Sequence, residues 1–494
     1  MTKFIIPIII TVILIAGIGG FFIFQKPAFP EQFKEGIGTL PESVSEAVKQ
    51  KQSLKSIQDS PFGFLAQYID NSNTKKIYSA YGGFSAIQKI YKDLGVHWDR
   101  GAGRNGGATW GAIEKNIDGY RSMFDNYVKI ASNNNINLLI TISPAYSEAK
   151  GEYYLPTDLN AYAEFIKKLV GDYPSVKYWQ IHNEVNGGVF WKDTPQNYAK
   201  LVRATSDAIR ESCGDCVIVL GSSINIDEKG NSKSIATYFE PVLKELRKDN
   251  KKYFDVFDYH FFAPAGSTPD LFYSVYEDGI KSARNLLDKY GYKNAEIWTT
   301  ETMIFTTDGM SQKETGKLPS EYQNINEAQQ TDALLKIYVS GLANGVSKIF
   351  WNKLTEGPWF DFMFNRAGLI KHPNFSGSAS KKLSYYTYKK MTETLEGSDW
   401  NNIQTIQESD GVYVYKFTKQ SKPIWVAWND NSAGKTITIT GIGSQQVNIT
   451  EAVPKYESGK DVTDYNTAFN TEIKPVSNGK ITITLGDKPV FVEE

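Results

Sequence analysis

The chain has 494 residues, room for about three ordinary units or for one large barrel with a smaller companion, which excludes a minimal binding module. Its 54 Lys and Arg nearly cancel its 55 Asp and Glu, and a net charge of -1 leaves no field to hold a polyanion, so no nucleic acid partner is expected. Hydrophobic residues make up 41% and charged residues 22%, so a sizeable core is available; the 10 Trp, 29 Tyr and 27 Phe reach 13%, an excess that stacking on sugars would use and that a large aromatic core would equally explain.

Phe4 to Phe24 contain no charged side chain, and about 21 helical residues rising about 1.5 Å each would cross a bilayer core of about 30 Å. Gly19-Gly20 run into Phe21-Phe22-Ile23-Phe24 rather than into an A-x-A cleavage pattern, so residues 1–26 read as a retained membrane anchor; the alternative is a cleaved signal and a secreted protein. Lys3 and the amino terminus precede the stretch and Lys26 follows it, a slight bias toward a cytoplasmic amino end with the bulk of the chain outside the cell. Residues 27–59, with Pro27, Pro30, Pro41 and the charged run Glu42 to Lys55, read as a stalk.

From residue 60 to 397 short β-rich runs alternate with amphipathic helical stretches, the pattern of a parallel sheet with crossover helices. Eight strands are predicted: Phe62 to Tyr68, Leu94 to Arg100, Ile136 to Ser143, Val176 to Asn183, Val217 to Ser222, Val256 to His260, Glu296 to Thr300 and Lys348 to Asn352. Predicted helices include Ser85 to Leu94, Ile117 to Asn134, Leu159 to Gly171, Gln196 to Glu211 and Glu327 to Ala343, with Asp158, Thr194 and Asn326 as N-caps and Gly95, Gly171, Gly291 and Gly345 near helix ends. Eight such units point to an α/β fold, a (β/α)8 barrel, rather than an open doubly wound sheet. The only cysteines, Cys213 and Cys216, follow a predicted helix as C-x-x-C; without further ligands nearby they read as a candidate disulfide, ahead of two free structural thiols and, last, a redox motif. From residue 398 to 494 the period becomes two, in runs such as Gly411 to Phe417, Pro423 to Trp428, Lys435 to Thr440, Val447 to Thr450 and Lys480 to Leu485, which predicts a small antiparallel β-sandwich.

Chemistry on a (β/α)8 barrel sits at the carboxyl ends of its strands. The fourth strand ends Trp179-Gln-Ile-His-Asn183-Glu184 and the seventh Trp298-Thr-Thr-Glu301, so two carboxylates face each other across the barrel mouth. That arrangement suits glycoside hydrolysis, in which one carboxyl protonates the leaving oxygen and the other attacks or activates water. Four His, with no H-E-x-x-H, give no multi-His metal site, and neither metal nor other cofactor is expected.

The stretch Trp179-Gln-Ile-His-Asn183-Glu184, with Glu301 on the seventh strand, resembles the signature of the clan A retaining glycoside hydrolases, among them families five and thirty-nine, over the whole barrel. The resemblance extends to the terminal sandwich with its closing Leu485 to Val492, and it implies a carbohydrate substrate. It also implies that Glu184 is the acid/base, that Glu301 is the nucleophile and that Asn183 bonds the substrate 2-hydroxyl. By the same likeness Arg100 holds the nucleophile ionised, His260 lines the sugar site and Trp351 stacks beneath the sugar, the alternatives being a surface ion pair, a core histidine and a ring buried in the barrel core; Trp98, Trp110, Trp191 and Trp359 lie near predicted strand ends or the loops after them and are candidates to extend the platform. Where many members carry a Tyr that bonds the nucleophile this chain has Phe262, so either Tyr259 or another hydroxyl supplies that bond or the nucleophile is tuned differently. Retention would require Glu184 to titrate above Glu301.

Gly101-Ala-Gly-Arg-Asn-Gly106 matches a nucleotide fingerprint by spacing but opens no helix directly, and reads as a cleft loop. The other functional class is a cell-surface carbohydrate-binding or adhesion protein that has lost catalysis, which would have no need of both glutamates.

Overall fold

The computed structural model describes residues 58–494 except 71, 104–105, 145–153, 227–231, 263–271, 311–314, 317, 319 and 359–362. The expected anchor and all but the end of the expected stalk lie outside these residues; among the described residues no helix is long and apolar enough to cross a membrane.

Eight parallel strands, β1 (Phe62–Leu65), β2 (Trp98–Gly101), β3 (Asn137–Ser143), β4 (Tyr178–Ile181), β5 (Val217–Ile224), β6 (Val256–His260), β7 (Glu296–Thr302) and β8 (Val346–Trp351), pair in order. β1 pairs with both β2 and β8, which closes the ring and disposes of the open-sheet alternative. Each strand is followed by a helix: α1 (Phe84–Asp93), α2 (Tyr120–Asn133), α3 (Leu159–Asp172), α4 (Pro195–Ser212), α5 (Ala236–Leu246), α6 (Phe272–Lys289), α7 (Glu327–Ala343) and α8 (Leu383–Leu395).

Backbone handedness explains where expected strands are cut short. The first ends at Leu65 because Ala66 takes a φ of 49°, and the fourth ends at Ile181 because His182 takes 75°. The helix starts follow the side-chain chemistry: Asp158 accepts from Ala161 N–H at 2.9 Å, Thr194 from Asn197 N–H at 3.2 Å, and Asn326 forms a capping box with Gln329. Gly95, Gly291 and Gly345 have positive φ beyond helix ends, whereas Gly171, expected at such an end, lies inside α3.

Period two sorts the strand residues between the barrel interior and the helical layer. In β2, Trp98 and Arg100 point inward and Asp99 points out, where Tyr91 of α1 and Tyr127 of α2 each donate to it at 2.6 Å. The lower interior is an apolar layer of Trp98, Leu139, Val219, Val256, Trp298 and Phe350. A β-carbon on Gly63 would come within 2.6 Å of the Phe350 ring, so only glycine lets this layer close. Above it Arg100, Thr141, Gln180, Asp258 and Thr300 form a polar layer joined by hydrogen bonds. Alternation breaks in β7, where a register irregularity between Thr299 and Thr302 turns both Thr300 and Glu301 toward the interior.

The carboxyl-terminal part is a six-stranded antiparallel sheet facing a two-stranded one. In the larger sheet β9 (Gln404–Ser409), β10 (Val412–Lys419), β11 (Lys422–Asn429), β16 (Val490–Glu493), β13 (Gln446–Glu451) and β14 (Thr471–Pro475) are neighbours in that order, and β12 (Lys435–Thr440) pairs with β15 (Lys480–Leu485). Val414, Trp425 and Ala427 meet Ile437, Ile439 and Ile483 between them. The opposite face covers barrel helices: Trp428 packs edge-on against Tyr273 of α6, and Lys336 of α7 pairs with Asp430 at 2.9 Å. The sequence missed β9, an exposed edge strand, and β14, whose side chains are mostly solvated.

Seven of the ten Trp (98, 179, 191, 298, 351, 425 and 428) are fully enclosed, so the aromatic excess is chiefly core. Cys213 and Cys216, just after α4, form a disulfide.

Candidate active site

Glu184 and Glu301 come together at the carboxyl ends of β4 and β7. One donor atom each of Glu184, Glu301 and His260 lie within 4.8 Å of one another. Glu184 has a φ of 41° and His182 one of 75°, left-handed conformations that cost a residue with a β-carbon about 1–2 kcal/mol and are held by the surrounding bonds. Glu184 N–H donates to Ser222 Oγ at 2.8 Å and Asn183 N–H to His182 Nδ1 at 2.8 Å, which fixes the strained strand end.

Arg100 reaches three acceptors from β2. Its Nη1 lies 2.5 Å from Glu301 Oε1, its Nη2 donates to Asn183 Oδ1 at 2.6 Å and its Nε to Gln180 Oε1 at 2.9 Å. Asn183 Oδ1 also accepts from Ser222 Oγ at 3.3 Å. The remaining Glu301 oxygen, Oε2, meets the Asn352 amide at 3.4 Å.

His260 lies between the two carboxyls, Nδ1 2.9 Å from Glu184 Oε1 and 3.8 Å from Glu301 Oε1. Its Nε2 lies 3.1 Å from Thr300 Oγ1 and 3.2 Å from Asp258 Oδ2. Burial by itself would strip the imidazole of its proton, but the charges of Glu301 and Asp258 and the bond to Glu184 outweigh it and push the pKa up to about 9. At Glu301 burial pushes the carboxyl above its ordinary value, aided by Glu184 and opposed by His260 and Arg100. The two carboxyls are about equally enclosed, and the Arg100 guanidinium and the His260 ring are the groups that favour the charged form of Glu301.

Two expectations change. Tyr259 does not replace the missing tyrosine hydroxyl: it points out of the barrel into α6, so close that a β-carbon on Gly279 would lie 2.0 Å from its oxygen, and Asn352 bonds Glu301 instead. Trp351 is completely enclosed, donates its indole N–H to Ala367 O at 3.1 Å, and presents no open face for a sugar. Of the other platform candidates, Trp98 belongs to the lower barrel layer, Trp191 is buried against His182, and Trp110 packs on Tyr162 and Phe165; Trp359 lies outside the described residues. The loop from Gly101 to Gly106, of which 104–105 are outside the described residues, is tied down by Tyr120 Oη, whose one proton is shared between Gly103 O and Gly107 O.

Solved structures place this architecture. A family 39 glycoside hydrolase from the gut symbiont Bacteroides cellulosilyticus WH2 aligns over 88% of this chain and 81% of its own, at a TM-score of 0.59 and 16% identity. The fold is that of the clan A glycoside hydrolases. A family 51 α-L-arabinofuranosidase from Thermotoga petrophila RKU-1 aligns over 87% of this chain and 95% of its own (TM-score 0.60, 11% identity), and a family 30 endoxylanase from Clostridium papyrosolvens C71 over 88% and 95% (0.52, 17%). No protein-family model and no curated protein matches the chain.

Glu184, His260 and Glu301 are also the donor set a metal would use, but the Arg100 guanidinium already takes the cation position beside Glu301. Sequence reasoning missed Gln180, Asp258 and Asn352. Gln180 and Asp258 lie two residues before His182 and His260, and the period-two rule applied backward from the strand ends would have found them inside the barrel.

Proposed function

We propose that the chain is a retaining glycoside hydrolase cleaving O-glycosidic bonds of an extracellular oligo- or polysaccharide, with Glu301 as nucleophile and Glu184 as acid/base. The observation that carries this reading is the pair of carboxyl oxygens within 4.8 Å at the mouth of a closed barrel. Retention calls for carboxyl groups about 5–5.5 Å apart and inversion for groups about 6.5–9.5 Å apart with a water between them, and so short a nearest approach of oxygens favours the former.

Arg100 and His260 hold Oε1 of Glu301, which leaves Oε2 to attack the anomeric carbon. As that bond forms, the glycosidic C–O bond breaks and Glu184 protonates the leaving oxygen. Water then attacks the same carbon, gives its proton to Glu184 and releases Glu301 from the ester. Asn183, its Oδ1 engaged by Arg100 and Ser222, keeps its amide N–H groups for the sugar 2-hydroxyl. The enclosed Trp351 leaves central-subsite stacking without an assigned ring.

Because similar structures carry the names arabinofuranosidase and endoxylanase, aryl arabinofuranosides and xylosides and xylan head the substrate panel. On a substrate that is cleaved, NMR should show the retained anomer first; the inverted anomer appearing first would refute the covalent route. The same proposal keeps residues 1–26 as an anchor with the catalytic unit outside the cell, and a mature amino terminus beyond Phe24 would overturn the anchor.

A further inference from the structure

Asp258 lies on β6 with no exposed surface, and every hydrogen-bonding group around it is a donor. Oδ1 accepts Thr300 N–H at 3.0 Å; Oδ2 accepts Thr300 Oγ1–H at 2.6 Å and an amide N–H of Gln180, and faces His260 Nε2 at 3.2 Å. Thr300 spends its only hydroxyl proton on Asp258, so at its 3.1 Å contact it can only accept from His260 Nε2. Both neighbours of Nε2 are therefore acceptors, and Nε2 must carry a proton. The ring is then oriented with Nδ1 against Glu184 Oε1, and the 2.9 Å contact holds one shared proton. Gln180 ties the same Asp258 oxygen to Arg100 and so to Glu301.

We propose that Asp258 is a positioning residue: it pins the proton on His260 Nε2, turns Nδ1 to Glu184, and thereby sets the pH range over which the acid/base has a proton to give. The proposal rests on the assignment of Glu184 above. In the first half-reaction the shared proton goes to the leaving oxygen, leaving the imidazole neutral and the Glu184 carboxylate ionised. In the second, water returns one proton to the pair. Among the described residues the charged groups facing His260 are Asp258 on its own strand, Glu184 after β4 and Glu301 on β7, with Arg100 of β2 acting through Asp258 and Glu301. Three carboxylates against a fully buried ring keep the proton there well above neutrality, and Asp258 is the one of the three that does not touch the reacting atoms in the proposed mechanism.

The test is imidazole NMR together with the pH profile of kcat/KM on an aryl glycoside, for the unmodified chain and for Asp258→Asn. In the unmodified chain His260 should keep Nε2–H throughout and titrate above pH 8. In D258N its midpoint should fall by about 1–3 pH units, the reach of one adjacent charge, and the alkaline limb of kcat/KM should fall with it. A His260 midpoint at or below about 6.5, the unperturbed value, in the unmodified chain overturns the proposal without any variant, so a D258N chain that fails to fold leaves the decision intact. An unchanged midpoint in folded D258N, or a shifted midpoint with an unmoved alkaline limb, also overturns it. A chain that cleaves no glycoside while His260 titrates as expected contradicts the acid/base assignment and leaves the hold of Asp258 on His260 standing.

Discussion

Asp99 and Asp258 are both completely enclosed carboxylates on barrel strands, and they sit on opposite sides of the barrel wall. Asp99 faces the helices and is held by neutral donors alone: the hydroxyls of Tyr91 and Tyr127 and the N–H groups of Gln67 and Tyr68. Burial wins there, and the carboxyl is pushed up to about 6 despite those bonds. Asp258 faces the barrel interior, where burial pushes the same way but the charge and hydrogen bond of His260, the charge of Arg100 and the Thr300 bond outweigh it and hold the carboxyl below its ordinary range. Hydrogen bonds satisfy a buried carboxylate, whereas neighbouring charge decides whether it keeps its proton. Asp99 ties the start of the chain's first loop to β2; Asp258 belongs to the layer that carries the chemistry.

The contrast can be broken most severely at Glu301. Glu301→Ala should abolish turnover while leaving sugar binding measurable by calorimetry, and turnover that survives on a validated substrate removes it from the mechanism. Arg100→Met, which leaves Glu301 without its guanidinium in an enclosed site, should cost about 3–5 kcal/mol of stability in urea denaturation. A pH sweep of stability separates the two sides of the wall. The pKa of His260 is raised, so its contribution is complete below about pH 6.5 and should disappear, by about 3 kcal/mol, as pH rises to about 9. Asp99 is also raised, so the folded chain binds its proton more tightly than the unfolded chain does. Its share of stability should fall by about 3 kcal/mol between about pH 4 and 6, and Asp99→Asn should flatten that slope without moving the pH profile of activity. The smallest effect is Tyr127→Phe, which removes one donor to a buried carboxylate: a loss of about 1.5–3 kcal/mol with kcat/KM unchanged.

The barrel was legible because its signals are local. Strands beginning near Phe62 and Val217, the caps at Asp158, Thr194 and Asn326, and the turn to period two after Trp400 each depend on a few neighbouring residues, and the structure reproduces them. Glu184, Glu301, Arg100, Asn183 and His260 were legible because strand ends of a closed barrel converge, and the structure brings all five together. Trp98 lies on the expected inner face but two residues below Arg100, in the lower layer, whereas Trp351 and Tyr259 were placed on the wrong face. Which face a strand residue takes depends on where the strand starts, and one residue of displacement moves a side chain across the wall. Asp258 drew no attention because a carboxylate inside a strand pattern shows nothing of its partners, which come from β4, β7 and the residue two places on.

The sequence by itself determined the order of elements, the closure of eight units into a barrel and the pair of strand-end glutamates, because periodicity and end position are written residue by residue. Tertiary structure alone decided that most of the aromatic excess is core, that Asn352 rather than a tyrosine meets Glu301, and that a buried carboxylate on β6 faces the histidine between the glutamates. Those outcomes depend on distances between strands far apart in the chain, and on the balance of burial against charge that only those distances set.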